Sequence, residues 1–371
     1  MFSTRYPASS IRRKEIQLTK EREIGFGVVG LGMGTHHARA IDTAKGAKLI
    51  AVCDIDEDRM KKTAEQHKVK GYKDFDDMLK DDEIEVINVC VPSGMHVDIA
   101  IPAIEAGKNV IVEKPVDITV EKIDKLIAAG KKAGLKMGGI FQSRTTPMNK
   151  RIKDALDNGR LGQLAGAHAI LPWYRKQSYY EDVRHGRWKG TWAMDGGGSL
   201  ANQGVHTIDL IQWLVGRVKS VFGAFGVYGH DIEAEDKAAA LLKFENGAIG
   251  TLTTTTCAYP GLSQIGVIHG IKGSIAWGEG HLTAWKIEGE RQKEEEAEML
   301  NLYGPKEKRG ETTASDPMAV GSSGHVGIVE DMVQAILEDR EPMITIESAK
   351  HAVEIMNAVY ESGRTGKEVF I

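Results

Sequence analysis

The first 140 residues alternate short apolar runs with segments of helical periodicity. The apolar runs cover residues 26–29, 47–53, 86–91, 109–112 and 136–140. The run at 86–91 is apolar at nearly every position, which is typical of a strand buried on both faces of a parallel sheet. Between the runs, apolar side chains recur at three- and four-residue spacing, as in helices. This rhythm predicts a doubly wound parallel α/β sheet of the Rossmann type that ends near Phe141.

The pattern changes after residue 144. A helical segment at 147–158 precedes six β-rich segments. These cover residues 165–171, 218–228, 238–244, 248–256, 264–270 and 274–277. The dipeptides Asn246-Gly247 and Lys272-Gly273 lie between successive segments and suit tight hairpin connections. We therefore expect a second α/β domain with a large, mostly antiparallel open sheet.

Two amphipathic helices are predicted near the end of the sequence, after a polar stretch. Residues 288–316 are charged and polar, which predicts a surface excursion or a mobile loop. Apolar residues then recur at helical spacing over 326–336 and 352–359. We divide the chain into an N-terminal arm or tail at 1–22, a Rossmann-type domain at 23–143 and a second α/β domain at 144–371.

Composition and charge narrow the class of protein. The 371 residues carry a formal net charge of −4 and a sequence pI near 6.3, so no basic surface for nucleic acid or anionic membrane is indicated. No apolar run is long enough to span a membrane. Cys53, Cys90 and Cys257 form no CxxC pair, which favours buried thiols in a reducing compartment. Arg12 and Arg13 precede no apolar segment, so we expect a cytoplasmic protein without an export signal.

A glycine-rich turn follows the first predicted strand. Gly30, Gly32 and Gly34, with Met33 among them, join this strand to a helix-like run. Glycine allows a tight turn and a close backbone approach to a pyrophosphate, whose charge a helix N-terminus stabilises. Asp54 ends the second strand about twenty residues further on, where a carboxylate can bind the ribose hydroxyls of NAD. We predict an NAD site; the alternative is a tight turn in another kind of parallel α/β protein.

Glu113, Lys114 and Pro115 follow the apolar run at 109–112. Proline disfavours helical backbone at the preceding residue, so Lys114 should project from the carboxyl end of a strand. Ligands bind at that edge of an open α/β sheet. An ammonium group there can hydrogen-bond a substrate oxygen and stabilise its developing negative charge. We predict a catalytic lysine, the alternative being an ordinary solvated one.

The stretch at 195–209 reads DGGGSLANQGVHTID. Its three glycines allow the backbone to approach a ligand or cofactor closely. His206 and Asp209 are three residues apart and share one face of a predicted helix. A histidine near neutral pH is a suitable base for removing a proton from an alcohol. The alternative is a buried core histidine with its hydrogen bonds satisfied.

Aromatic and basic residues are dense between 172 and 192, where Tyr174, Arg175 and Trp192 lie. Aromatic faces beside hydrogen-bonding groups suit a sugar ring, or an aromatic group attached to one, and they equally suit a subunit interface. His325 begins a late helix, where it either enters the site or caps the helix. No histidine, cysteine and carboxylate cluster has metal-ligand spacing, so we predict no metal site.

Together these motifs resemble the Gfo/Idh/MocA family of glucose–fructose oxidoreductases and inositol dehydrogenases. The resemblance covers nearly the whole chain from about Ile24. It also rests on VPSGMH with Pro92, Ser93 and His96, on FQSR with Gln142 and Arg144, and on GHVGIVEDMVQAI. It implies a Rossmann domain and an α/β domain whose open sheet often mediates oligomerisation, so we expect a homo-oligomer. It also implies oxidation or reduction of a sugar, cyclitol or related alcohol by a nicotinamide cofactor.

The motifs and the resemblance give a set of expected site residues. The catalytic residues are Lys114, His206 and Asn202. The cofactor-binding residues are Gly30, Gly32, Met33, Gly34, Asp54, Pro92, Ser93, His96, Glu113 and Lys114. The substrate-binding residues are Gln142, Arg144, Tyr174, Arg175, Trp192, Asn202, His206, Asp209 and His325.

Two features depart from the family pattern. The glycine turn is one residue shorter than GxGxxG if His37 and Ala38 mark the same helix. The family often has aspartate four residues before the histidine, and this chain has Asn202 there. Asparagine can hold a hydroxyl group but cannot accept its proton. The proton therefore passes to His206 while Lys114 polarises the reacting oxygen, or to Lys114 itself.

We therefore predict an NAD-dependent dehydrogenase that oxidises a secondary alcohol of a sugar, glycoside or cyclitol. Two alternatives are a glycosidase that uses NAD for transient oxidation and releases a free sugar, and a non-catalytic dinucleotide-binding regulator. The Lys114 and His206 pair argues against the regulator. Nothing in the sequence excludes the glycosidase.

Overall fold

The computed structural model of the chain describes residues 22–182, 187–278, 280–306, 314–315 and 323–371. Within these ranges the strands form one six-stranded and one eight-stranded sheet. The predicted arm or tail, apart from Arg22, lies outside the described residues. No helix in the described part of the chain has the length and apolar character needed to cross a membrane.

The first sheet is parallel throughout and has the strand order β3-β2-β1-β4-β5-β6. Its strands are β1 (Ile24–Val29), β2 (Ala47–Cys53), β3 (Lys70–Tyr72), β4 (Val86–Val89), β5 (Asn109–Val112) and β6 (Met137–Gly139). All six residues of β1 are buried, as expected for a central strand covered on both faces. The predicted Rossmann sheet is confirmed.

Helices connect these strands. They are α1 (Gly34–Thr43), α2 (Glu57–His67), α3 (Phe75–Leu79), α4 (His96–Glu105) and α5 (Val120–Ala133). The Asp56 carboxylate caps α2 by accepting a hydrogen bond from the Arg59 N–H at 3.1 Å, and the left-handed Gly134 ends α5. The first helix begins at Gly34, so its N-terminus lies directly at the glycine turn.

The second sheet has the strand order β13-β12-β11-β7-β10-β9-β8-β14. Its strands are β7 (Leu164–Pro172), β8 (Val218–Gly226), β9 (Lys237–Phe244), β10 (Ile249–Thr255), β11 (Ile265–Gly270), β12 (Gly273–Gly278), β13 (His281–Ile287) and β14 (Val369–Phe370). The neighbouring strands are antiparallel except β7 and β10, which confirms the mostly antiparallel sheet. Both predicted hairpins are present. The strand β13 was not predicted.

The remaining helices cover the inner face of this sheet and return to the first one. They are α6 (Pro147–Asp157), α7 (Val205–Val215), α8 (Gln292–Tyr303), α9 (Ser323–Leu337) and α10 (Ile346–Thr365). The Ser362 hydroxyl of α10 accepts a hydrogen bond from the Gly223 N–H of β8 at 2.9 Å. At the other end of α10, Lys350 pairs with Asp124 of α5 at 2.6 Å. The C-terminal helices therefore join the two sheets.

Of the two alternatives predicted for 288–316, a surface excursion or a mobile loop, the mobile loop is wrong for the first half, where α8 forms with most of its residues exposed. Met299 is buried, and Arg160 makes a two-pronged ion pair with Glu295. The sequence pattern hid this helix because most of its residues are polar, and Met299 is its one buried residue. Much of the rest of the stretch lies outside the described residues.

Candidate active site

The glycine turn fits a dinucleotide. Gly30 has a φ of +86°, and a Cβ there would lie 2.7 Å from the carbonyl carbon and oxygen of Cys90. A Cβ on Gly34 would lie 2.8 Å from the Val28 side chain, so glycine lets α1 pack tightly against β1. A glycine-rich turn that leads into a helix N-terminus is what a pyrophosphate needs.

Asp54 is buried at the end of β2, beside this turn. Its Oδ2 atom accepts a hydrogen bond from the Leu31 N–H at 2.7 Å, and its Oδ1 atom accepts one from the Asp56 N–H at 2.8 Å. Arg59 donates to Asp54 and to Asp56, each at 3.2 Å. The carboxylate is thus fixed where the sequence predicted contact with the adenosine ribose.

The loop after β4 lies at the same edge of the sheet and contains Pro92 and Ser93, and His96 begins α4 after this loop. The two ring nitrogens of His96 lie 2.7 Å from the Pro115 carbonyl oxygen and 2.8 Å from the Val91 carbonyl oxygen. The ring therefore connects the loop after β4 to the turn after β5. Cofactor contacts of these three residues stay a prediction.

Glu113 lies in a buried network between α1 and α9. His37 Nε2 donates to Glu113 Oε1 at 2.8 Å, because His37 Nδ1 accepts from Asn88 at 3.2 Å. His325 Nε2 lies 3.8 Å from the same carboxylate oxygen, and the Lys114 N–H donates to Oε2 at 2.8 Å. Burial alone would raise the pKa of Glu113, but the contacts with His325 and His37 hold it well below its usual range. The carboxylate thus fixes the backbone from which the Lys114 side chain projects.

This network contains residue types that bind metal ions. Ligand atoms of His37, Glu113 and His325 lie within 4.8 Å of one another. Spacing in the sequence did not indicate the cluster, because its members come from α1, the end of β5 and α9. A hydrogen bond already joins two of the three side chains. The absence of a metal site stays a prediction.

Lys114 lies at the carboxyl edge of the first sheet, as predicted. Its Nζ atom donates to the Asn202 backbone carbonyl at 2.8 Å. Burial lowers the pKa of Lys114, the carboxylates of Glu113 and Asp195 oppose that effect, and the charge of Arg175 adds to it. The fold therefore brings Lys114, Asn202 and Arg175 together.

His206 lies on the first turn of α7, after a π-helical segment at Ser199–Gly204. Its ring packs edge-on against Phe141, with centroids 6.1 Å apart. The Nδ1 atom is buried and has no hydrogen-bond partner among the described residues. Burial, reinforced by the positive charge of Lys114, lowers the pKa of His206 to about 3. This histidine is therefore neutral at physiological pH, and its hydrogen bonds are not satisfied as those of a core histidine would be.

A carboxylate that the sequence analysis missed lies beside Asn202. Asp195 is fully buried, and it accepts hydrogen bonds from Asn202 Nδ2 and from the Gly190 N–H, both at 2.8 Å. Burial raises the pKa of Asp195 to about 7, against the effect of the nearby Lys114 charge. Its place at the start of the DGGG block was the only signal in the sequence. The site thus holds an acidic residue, although not at the position usual for the family.

Two predicted substrate-binding residues contact each other. Arg144 and Asp209 are buried and form a two-pronged ion pair, and Arg144 also contacts Ser348. Gln142 lies against the first turn of α9, where a Cβ on Gly324 would be 2.8 Å from its side chain. The ion pair connects the turn after β6 to α7, so it can position His206 on that helix.

Two aromatic residues of the 172–192 segment have different surroundings. Tyr174 packs edge-on against Tyr259, with centroids 5.2 Å apart. Trp192 packs against Phe225 and Tyr360 and lines a groove of about 450 Å³. None of the three predicted catalytic residues lines that groove. The structure therefore does not bring Trp192 to them.

Comparison with known proteins agrees with this geometry. Residues 24–139 match a family model described as an oxidoreductase family with an NAD-binding Rossmann fold, and residues 149–276 match the GFO/IDH/MocA C-terminal domain. The chain belongs to the Gfo/Idh/MocA family. It is therefore an oxidoreductase with an NAD-binding domain, as the sequence predicted.

Individual relatives are sugar and cyclitol dehydrogenases. The myo-inositol 2-dehydrogenase of Thermotoga maritima is 28% identical over 259 residues, which are 67% of this chain and 74% of that protein. The WlbA dehydrogenase of Bordetella pertussis, solved with NADH and UDP-GlcNAcA, has a TM-score of 0.83 and 27% identity over 95% of this chain and 99% of that one. Levoglucosan dehydrogenase, solved with NADH and levoglucosan, has a TM-score of 0.79 and 20% identity over 94% and 100% of the two chains, and supports the fold alone.

Proposed function

We propose that the protein oxidises a secondary alcohol of a sugar, glycoside or cyclitol to the ketone, with NAD as the hydride acceptor. One observation carries the proposal: Lys114, a neutral His206 and Asn202 lie together at the carboxyl edge of the Rossmann sheet. The myo-inositol 2-dehydrogenase and the WlbA dehydrogenase solved with UDP-GlcNAcA support a sugar-like substrate.

The residues present fit NAD. The turn at Gly30 has no room for a side chain, the N-terminus of α1 can bind the pyrophosphate, and Asp54 can accept hydrogen bonds from the ribose hydroxyls. When bound, the nicotinamide accepts a hydride from the carbinol carbon of the substrate. The Asp54 carboxylate disfavours the additional phosphate of NADP, so NAD is the preferred cofactor.

The side chains of this site can activate the alcohol. Lys114 uses one N–H for the Asn202 carbonyl and can donate another to the substrate hydroxyl oxygen, where it stabilises alkoxide character. Asn202 donates through Nδ2 to Asp195. Its Oδ1 atom accepts a long hydrogen bond from Gln203 Nε2 at 3.4 Å and has a second lone pair with which to orient the hydroxyl. His206 accepts the hydroxyl proton on its unprotonated ring nitrogen. Its low pKa makes it a weak base but keeps it unprotonated at neutral pH; Lys114 is the alternative acceptor.

The experiment is a screen of sugars, glycosides and cyclitols with the purified enzyme and NAD. Appearance of NADH absorbance together with a ketone by mass spectrometry is the expected result, with kcat/KM higher for NAD than for NADP. A free sugar without net NADH would identify the glycosidase instead. No reduction of NAD with any alcohol would support the regulator.

We also propose a homo-oligomer that forms through the outer face of the second sheet. Large apolar residues on this face are exposed by 39–52%: Ile170, Phe222, Leu241, Ile249 and Ile265. Phe222 pairs with Leu241 in register, and Ile265 pairs with Ile170, so they form neighbouring rows. Exposed large apolar residues grouped on one face of a sheet are typical of an interface.

A cytoplasmic location is also proposed. Cys53 and Cys90 are buried, Cys257 is partly buried, and all three are free thiols. Free thiols persist in reducing compartments, which supports this location.

A further inference from the structure

Lys189 is a partly buried lysine that the proposed reaction does not use. Its Nζ atom lies 3.9 Å from the centroid of the Tyr179 ring. This contact uses the ring face and leaves the N–H groups of Lys189 available to a ligand. Burial lowers the pKa of Lys189, and the carboxylates of Asp195 and Asp182 oppose that effect. The positive charges of Lys114 and Arg175 add to it. A partly buried lysine with a shifted pKa is typical of a binding site.

A series of short polar contacts connects Lys189 to the reaction centre. Below its ammonium group, the Tyr179 hydroxyl accepts a hydrogen bond from Gln203 Nε2 at 3.2 Å. The same Nε2 atom lies 3.4 Å from Asn202 Oδ1. The Asn202 backbone carbonyl in turn accepts the hydrogen bond from Lys114. A substrate whose alcohol contacts Lys114 can therefore reach Lys189 with another part of the same molecule.

Gln203 supplies an unsatisfied group next to this lysine. Its side chain is only 5% exposed, and its Oε1 atom has no hydrogen-bond partner among the described residues. A buried amide oxygen normally accepts a hydrogen bond from protein, water or ligand. Two groups that contact Tyr179 are thus available to a ligand: the Lys189 ammonium group and the Gln203 Oε1 atom.

We propose that Lys189 and Gln203 form a subsite for an acidic sugar, in which Lys189 binds a carboxylate and Gln203 Oε1 accepts a hydrogen bond from a neighbouring hydroxyl. This inference rests on the proposed function, because it names the substrate class of the same site. The Lys189 ammonium group beside an amide acceptor suits a carboxylate next to a hydroxyl group, whereas a phosphate monoester carries about two charges at neutral pH. The Tyr179 ring stabilises the ammonium group by a cation–π contact before substrate binds.

The first test is calorimetric binding to the full-length enzyme loaded with NADH. Each ligand pair differs only in a carboxylate that replaces a hydroxymethyl group: glucuronate and glucose, galacturonate and galactose, UDP-GlcNAcA and UDP-GlcNAc. In at least one pair, the acid should bind about 10-fold to 100-fold more tightly, as a charge-assisted hydrogen bond provides. No preference for the acid in any pair would overturn the proposal. Tighter binding of glucose 6-phosphate than of glucuronate would overturn the choice of carboxylate.

Variants assign the preference to Lys189. Lys189→Met removes the charge and keeps an apolar stem over Tyr179, so the preference should disappear while the affinity for the neutral sugar changes by less than about twofold. Lys189→Arg should keep the preference. Lys176→Met, at an exposed lysine of the same segment, is the matched control and should bind like the wild type. An unchanged preference in Lys189→Met would overturn the subsite.

Turnover of the same ligands separates the two proposals. If the acids bind preferentially through Lys189 but NAD is never reduced, the proposed oxidation is wrong and the subsite stands. If NAD is reduced equally well by both members of each pair and neither binds preferentially, the oxidation stands and the subsite is wrong.

Discussion

At the scale of single residues, Lys114 and His206 respond to the same buried surroundings in different ways. The pKa of Lys114 is lowered by burial, and two carboxylates, Glu113 and Asp195, oppose that effect. The pKa of His206 is lowered both by burial and by the Lys114 charge. The two carboxylates favour the charged form of Lys114, which can donate a hydrogen bond to the reacting oxygen. His206 stays unprotonated and can accept a proton.

The first prediction concerns His206 and Asn202. His206→Ala should lower kcat by about 10²–10⁴-fold, the usual contribution of a positioned base. Asn202→Ala should chiefly raise KM, because asparagine only binds and orients. Asn202→Asp places a carboxylate near His206, which raises the pKa of the imidazole and moves the acid limb of kcat/KM to higher pH. An unmoved acid limb in Asn202→Asp, together with an active His206→Ala, would assign the proton to Lys114.

The second prediction concerns the stability that Asp195 contributes. Its pKa is raised from 3.8 to about 7, so between these values the folded protein holds a proton that the unfolded chain has released. Stability contributed by this group therefore falls as the pH rises through that window. We therefore compare the Tm of Asp195→Asn with that of the wild type at two pH values. The Tm of the variant minus that of the wild type should be about 2–5 °C higher at pH 8 than at pH 4. A difference in Tm that is independent of pH would show that Asp195 is not buried as a titrating acid.

At the scale of elements, the strands that are buried on both faces of the first sheet were predicted well from their apolar sequence. The strands β1, β2, β4 and β5 are apolar runs covered by helices. Gly247 lies in the β9–β10 turn with a φ of +88°, whereas Gly273 is the first residue of β12 and lies after its turn. The helix α8 was missed because only Met299 is buried, so no apolar stripe forms. The π-helical segment Ser199–Gly204 was missed because glycine-rich sequence indicates a close approach and not a particular turn.

The third prediction compares two glycines with positive φ. Gly30→Ala should abolish detectable NAD binding and lower stability, because its Cβ would lie 2.7 Å from the Cys90 backbone. Gly107→Ala is the control: φ is +79° and nothing lies within 4 Å of the added Cβ. Gly107→Ala should lower the free energy of unfolding only by the strain of a left-handed alanine, about 1–2 kcal/mol, and it should keep NAD binding. Fluorescence titration and thermal denaturation measure both effects, and equal behaviour of the two variants would contradict the steric account of the turn.

At the scale of the whole molecule, the site is assembled from parts that are distant in sequence. The position of Lys114 could be predicted, because a strand followed by proline has a known place on an open sheet. The contacts of Asp195, Lys189 and Gln203 could not, because they depend on how the segments after β7 fold against β5. The same holds for His37 and His325, which meet only because α9 returns to the first sheet.

The fourth prediction concerns assembly through the second sheet. Sedimentation velocity should give a mass above the 40.5 kDa of one chain. The double variant Phe222→Lys and Leu241→Lys should dissociate the assembly, because it buries charge in the middle of the apolar face. Met343→Lys, at an exposed apolar residue between α9 and α10, should not. A monomeric wild type, or a double variant with unchanged mass, would rule out this interface.

The central claim is hydride transfer from a sugar carbinol carbon to NAD, and isotope transfer tests it most directly. Myo-inositol, levoglucosan and UDP-GlcNAcA, each deuterated at the ring carbinol carbons, are incubated separately with enzyme and NAD. The masses of the reduced cofactor and of the sugar product are then measured by mass spectrometry. At least one substrate should yield deuterated NADH and the matching ketone. Lys114→Met should bind NAD normally yet transfer no deuterium, because the variant loses a hydrogen bond that stabilises the transition state and not the bound cofactor. Deuterium that stays entirely in the sugar for every substrate, or a free sugar of unchanged oxidation level, would contradict the account.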